Sequence, residues 1–359
     1  MDATDRKEPF ARDSLCENPA SEMPLRDNWV EQPLPRSFTY KRCSFFYQLW
    51  GNPELPPVVL LHGFMQSSTS WDSIARSLAS RFCVYALDFI GHGLTEKSKK
   101  PARYTYEDMA ASVDYFLRKV VCAHEKRGRE KHAHTRQALA NCAQEKHAHT
   151  NHTHINRPRA NDSNAKRTHV IGYSMGGRIA LRLLQTSGDV LASVVLESCN
   201  LGCATQAERT EAAQRNQGWV DRIQHDGMEA FVDYWETLPM FATQKELGWD
   251  KLLHVSRAAN NPTSMVLCLQ GSGKQAMPLT EVTLEAVRTQ RQNGLPMLYI
   301  YGDKDAKSAA VAATLEAEGV LVSAIPAGHN VHLEAPMLYL KEVVHFLANT
   351  EAGASGAEA

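Results

Sequence analysis

Ser174 stands in the string Gly172-Tyr173-Ser174-Met175-Gly176-Gly177, between the apolar run Thr168-His169-Val170-Ile171 and the helical stretch Arg178–Leu184. A serine on a sharp strand-to-helix turn exposes its Oγ at the top of a sheet, where a neighbouring imidazole can activate it as nucleophile or base. The flanking glycines let strand and helix close on that turn. Two further strings supply partners, and in this arrangement they follow in the order serine, acid, histidine. Tyr301-Gly302-Asp303-Lys304-Asp305 ends the apolar run Met297–Tyr301 and offers two acids. Ala327-Gly328-His329-Asn330 follows the run Leu321–Ile325 and offers His329 as base, with His332 a neighbour at a helix start. Leu60-Leu61-His62-Gly63-Phe64 leaves another strand, so the Phe64 amide and the Met175 amide are the candidate donors to a developing oxyanion.

The elements that must position these residues alternate. Strand candidates are Phe38–Cys43, Phe45–Leu49, Val58–Leu61, Cys83–Leu87, His169–Tyr173, Ser193–Glu197, Met297–Tyr301 and Leu321–Ile325. Helical candidates are Trp71–Ser80, Tyr106–Val121 and Gly176–Gln185. Near-continuous apolar runs alternating with helices predict an α/β protein, a mostly parallel sheet with helices on both faces. Residues 38–122, 168–198 and 280–348 form this core. Residues 199–279 read as amphipathic helices (Glu208–His225, Met228–Thr237, Lys245–His254, Pro262–Ser272) that cap the sheet's carboxyl edge, where open α/β sheets bind ligands. Residues 1–37 and 349–359 read as disordered. Residues 123–167 form a His-rich insert repeating Glu-Lys-His-Ala-His-Thr at Glu130–Thr135 and Glu145–Thr150. That insert is either a metal-binding tract or a solvated loop, and its lack of large apolar residues favours the loop.

The bulk properties exclude several classes. The 359 residues are 43% apolar and 22% charged, with a formal net charge of −1, so neither nucleic acid nor an anionic membrane is indicated. No apolar run is long enough to span a bilayer. The first residues lack a secretory apolar stretch, and the chain ends without a Ser-Lys-Leu signal, so a cytoplasmic enzyme is expected, or a plastid or peroxisomal one if the source is eukaryotic. The 8 scattered cysteines read as reduced thiols.

His62-Gly63-Phe64, Asp88-Phe89-Ile90-Gly91-His92-Gly93 and the serine elbow together resemble the α/β-hydrolase family over about Phe38–Val121 and Thr168–Leu347. At the family's acid position stands Asp305, with Asp303 its rival. Within that family the chain resembles the 2-succinyl-6-hydroxy-2,4-cyclohexadiene-1-carboxylate synthases of menaquinone and phylloquinone biosynthesis. The resemblance rests on Gly172–Arg178, on Asp233-Tyr234-Trp235 with Leu238-Pro239-Met240-Phe241-Ala242, on Ser256-Arg257 with Asn260-Asn261, and on Ala327–His332. It implies a carbon–oxygen lyase that eliminates pyruvate from a small polycarboxylate, with no metal and no organic cofactor. It also implies substrate contacts from Tyr173, Arg178, Trp235 and Arg257. Arginines suit such a substrate because a guanidinium grips a carboxylate through two parallel hydrogen bonds. Where the family carries an early cap arginine this chain has Ala212, flanked by Arg209 and Arg215, and Ile90 replaces the family's proline. The triad also permits two alternatives: a serine ester or C–C hydrolase, and a non-catalytic binding protein, which would have lost part of the machinery.

Overall fold

The central strands are apolar runs covered on both faces. In β3 (Pro57–Leu61), Val59 and Leu61 join one buried cluster while Val58 and Leu60 join another on the opposite face. All five residues are buried, which is why the strand reads as an unbroken apolar run. The computed structural model describes residues 32–123 and 167–356. It shows an eight-stranded sheet in the order β1-β2-β4-β3-β5-β6-β7-β8. The remaining strands are β1 (Leu34–Tyr40), β2 (Cys43–Trp50), β4 (Cys83–Leu87), β5 (Thr168–Tyr173), β6 (Leu191–Glu197), β7 (Met297–Gly302) and β8 (Leu321–Ile325). The pairs β1·β2 and β2·β4 are antiparallel and every other pair is parallel.

Helices α1 (Asp72–Leu78) and α11 (Pro336–Gly356) cover one face. Helices α2 (Tyr106–Phe116, continued by a wider turn over Leu117–Val121), α3 (Met175–Thr186), α8 (Thr280–Gln292) and α9 (Ala306–Ala317) cover the other. A short α10 (Val331–Glu334) precedes α11. Over the carboxyl edge lie α4 (Gln206–Glu236), α5 (Ala242–Glu246), α6 (Asp250–Ala258) and α7 (Pro262–Ser272). Gly227, with φ 84° and ψ 176°, kinks α4 into the two segments the sequence suggests. The candidate Lys245–His254 instead divides into α5 and α6 at Gly248, whose φ is 74°. A bridge between Cys203 and Leu279, with Thr280 donating to the Cys203 carbonyl, closes the base of the cap.

Both expected disordered ends need correction. Leu34–Ser37 belong to β1, paired with Phe46–Leu49, although these four exposed residues show no alternating apolar pattern. The tail continues α11 to Gly356; Phe346 and Leu347 dock on the core, and Glu351 meets the buried His169 at 3.1 Å. Residues 1–31 and 124–166, and with them the His-rich repeat, lie outside the described residues. No described helix is long and apolar enough to cross a membrane.

Candidate active site

Six strand ends converge at the carboxyl edge, and five of them carry the residues singled out above. Ser174 links β5 to α3 with φ 49° and ψ −103°, a left-handed conformation that L-residues rarely adopt. The glycines make the turn possible by proximity. A Cβ on Gly176 would stand 2.1 Å from the Leu61 carbonyl oxygen, and one on Gly172 2.5 Å from that of Gly176. The strained serine is held by its amide, which donates to the Glu197 carbonyl at 2.8 Å.

His329 completes the constellation. Its Nε2 lies 3.2 Å from Ser174 Oγ and its Nδ1 2.6 Å from Asp305 Oδ2. Asp305 also caps α9, accepting from the Ser308 amide at 3.2 Å and the Ser308 hydroxyl at 2.7 Å. Burial pushes the Asp305 carboxyl upward, but the hydrogen bonds from His329 and Ser308 outweigh it and hold it at about 2. The rival Asp303 is exposed, and His329 pairs with Asp305.

Met175 opens α3, so its amide is among the donors a helix N-terminus leaves unpaired. Phe64 occupies the turn after β3, which His62 builds. The Phe89 amide donates to His62 Nε2 at 3.0 Å, so the proton sits on Nδ1, which donates to the Gly63 carbonyl at 2.7 Å. Burial lowers His62 to about 4 and His92 to about 3, keeping both rings neutral beside Phe64. Asp88 ties the adjoining loops, accepting from the Ser68 amide at 2.6 Å and the Leu94 amide at 2.8 Å.

The cap meets this centre through aromatic rings. Phe241 lies 5.9 Å from the His329 ring, and Trp235 lies 5.7 Å from Phe241 and 5.5 Å from Phe64. Tyr173, only 4% exposed, is wedged beneath the triad, 5.4 Å from His329. Arg178 lies one turn into α3 and donates to the Ser272 carbonyl at 2.6 Å. Its charged neighbourhood is unusual. Burial lowers its pKa, its other neighbours are Cys199, Cys268 and Tyr106, and no carboxylate among the described residues pairs with it. Arg257 differs: Glu236 at 2.7 Å and Gln244 at 2.9 Å already engage its guanidinium, which lies over Phe241. Arg209 and Arg215 are not brought to the triad. Arg209 donates to the Met277 carbonyl at the cap base, and Arg215 is exposed and lies over Trp219. Ala212 is buried between them and itself brings no charge to the point where the family carries its early cap arginine.

A family model described as "Alpha/beta hydrolase family" matches residues 58–342. The chain is a member of the alpha/beta hydrolase family. A Bacillus subtilis (strain 168) protein named "Putative 2-succinyl-6-hydroxy-2,4-cyclohexadiene-1-carboxylate synthase" is 30% identical over 304 residues, covering 81% of this chain and 90% of that one. A 2-succinyl-6-hydroxy-2,4-cyclohexadiene-1-carboxylate synthase of Escherichia coli O157:H7 (strain EC4115 / EHEC) is 25% identical, covering 80% and 91%. Among solved structures, MenH from S. aureus shares the hydrolase fold, with a TM-score of 0.67 at 21% identity, covering 85% of this chain and 98% of that chain.

Sequence reasoning missed two acids of this family member. Glu236 neutralises Arg257, and Glu197 is fully buried against His332. For Glu197 a signal existed: a carboxylate closes the otherwise apolar run Val194-Val195-Leu196, a position where an unpaired charge would be costly.

Proposed function

We propose that this protein eliminates pyruvate from 2-succinyl-5-enolpyruvyl-6-hydroxy-3-cyclohexene-1-carboxylate, giving 2-succinyl-6-hydroxy-2,4-cyclohexadiene-1-carboxylate, a step of menaquinone or phylloquinone biosynthesis. The carrying observation is Arg178: a half-buried guanidinium one turn beyond Ser174, bonded to the Ser272 carbonyl and paired with no carboxylate among the described residues. Such a cation asks for an anionic partner, and this substrate carries several carboxylates. The names of the relatives agree with that choice.

The double-bond positions define the reaction. The substrate is a 3-ene and the product a 2,4-diene, so a proton leaves ring carbon 2 and the enolpyruvyl oxygen leaves carbon 5. Carbon 2 bears the succinyl carbonyl, which acidifies its proton. Ser174 Oγ takes that proton and relays its own to His329 Nε2, while Asp305 stabilises the imidazolium through Nδ1. Negative charge gathers on the succinyl carbonyl oxygen, where the Phe64 and Met175 amides receive it. The electron pair then shifts through the ring and the carbon 5–oxygen bond breaks. The departing enolpyruvate takes up a proton and becomes pyruvate. Arg178 holds a carboxylate, and Trp235 with Phe241 forms the apolar wall that keeps water from the dienolate.

The test is pyruvate release from this substrate by wild type and Ser174→Ala. The proposal expects turnover by wild type and a loss on the order of 10³-fold or more in the variant. No pyruvate from wild type, together with rapid cleavage of simple esters, overturns it in favour of a serine hydrolase.

A further inference from the structure

Beneath the triad lies a second acid–imidazole pair that the elimination does not use. The Glu197 and His332 side chains are both 0% exposed. His332 Nδ1 lies 2.9 and 2.8 Å from the two Glu197 carboxylate oxygens, and the His332 main-chain amide donates to Oε1 at 3.0 Å. The His332 ring stacks on Trp71 with centroids 3.9 Å apart at 18°, and Tyr173 meets its face edge-on at 5.0 Å.

Glu197 therefore grips two things at once. Its carbonyl oxygen accepts from the Ser174 amide, while its carboxylate holds the start of α10, three residues beyond His329. The nucleophile and the base come from different strand ends, 155 positions apart in sequence, and must meet at 3.2 Å. Burying an acid–imidazole pair adds little stability compared with apolar side chains of the same size. What the pair does supply is directional bonding that fixes one arrangement. We propose that Glu197 is a positioning residue: one residue ties the serine elbow to the histidine loop, sets the approach of Ser174 to His329, and acts through His332. Tyr173, packed against both His329 and His332, transmits the same constraint through its ring.

The inference concerns the triad and not the substrate, so its test uses none. A fluorophosphonate reacts with an activated serine: the Ser174 oxygen–phosphorus bond forms, fluoride leaves, and His329 takes the proton. Rates are measured against probe concentration for wild type, Glu197→Gln, His332→Phe and His332→Asn, with each thermal midpoint. Glu197→Gln leaves one acceptor oxygen where two serve. His332→Phe keeps the stack on Trp71 and removes the ring donor. His332→Asn restores a donor near Nδ1 but loses the stack. The expected result is a limiting labelling rate lowered on the order of tenfold in Glu197→Gln and His332→Phe, with half-saturation held within about twofold. In the same series His332→Asn labels at least about threefold faster than His332→Phe. Unchanged limiting rates in Glu197→Gln and His332→Phe overturn the proposal. So does a fall in all three variants that follows their thermal midpoints, which is what packing alone would produce. A wild type that does not label at Ser174 also overturns it, because the aligned triad is its premise. Failure of the lyase assignment leaves each of these outcomes readable.

Discussion

Replacing Arg178 by Met separates the needs of folding from those of turnover. Methionine approximates the volume of the arginine stem and removes the charge. The folded protein loses one hydrogen bond, Arg178 Nη1 to the Ser272 carbonyl, worth about 1.5–3 kcal/mol for a charged donor. It also sheds the burial cost of a guanidinium that lies by Cys199, Cys268 and Tyr106 and pairs with no carboxylate among the described residues, which offsets part of that loss. The two oppose each other, so the net loss should stay below the value of the hydrogen bond alone and the thermal midpoint should fall by less than about 10 °C. Catalysis has no such cancellation. Loss of the carboxylate grip should lower kcat/KM on the order of 10²-fold, about 2.7 kcal/mol of transition-state stabilisation. Succinate should raise the wild-type midpoint and leave that of Arg178→Met unmoved, because only the wild type holds a cation for it. A midpoint lowered by more than about 10 °C with kcat/KM within about threefold of wild type would refute the reasoning and make Arg178 a structural residue.

Four further outcomes follow. Asp305→Asn should lower kcat/KM on the order of 10³- to 10⁴-fold, because the amide cannot orient His329 and stabilise its charged form; activity within about tenfold of wild type would contradict the triad. The same carboxyl is held at about 2, below its ordinary 3.8, so its stabilising contribution is complete above pH 3.8 and lost as pH falls through about 2. The midpoint difference between wild type and Asp305→Asn should accordingly shrink between pH 6 and pH 2, and calorimetry at the two pH values measures it. His254 is raised to about 8, first by its hydrogen bond to Glu229 and then by that to Glu236, which also binds Arg257. The sign is the reverse: its contribution is full below pH 6.5 and is lost as pH rises through about 8, so His254→Gln should flatten the pH dependence of the midpoint across that window. Gly176→Ala should destabilise by about 2 kcal/mol or more, because the new methyl meets the Leu61 carbonyl at 2.1 Å; an unchanged denaturation midpoint would contradict the elbow packing.

The residues that sequence reasoning located are those whose neighbours in the chain explain them. The elbow glycines flank Ser174 in the chain, with Gly172 crowded by the Gly176 carbonyl four positions on, and Asp305 and His329 each follow within a few residues of a strand end. Gly227 likewise marks the kink of α4 by its own backbone freedom. Pairs formed across the fold left weaker traces. Glu197 and His332 are 135 positions apart, and neither looks unusual until the strand ends converge. Arg257 reads as an open cation until Glu236 is seen beside it. The two ends failed for another reason. Leu34–Ser37 pair through their backbone, and the small residues after Asn349 remain helical because the turns before them are docked, so neither segment shows an apolar period.

The measurement that bears most directly on the elimination is the ratio of conjugated diene to pyruvate formed from the enolpyruvyl substrate by wild-type protein. Elimination produces one ring diene for each pyruvate, both abolished together in Ser174→Ala. Pyruvate appearing without the diene would mean that water, and not loss of the ring proton, cleaves the bond, and would contradict the account.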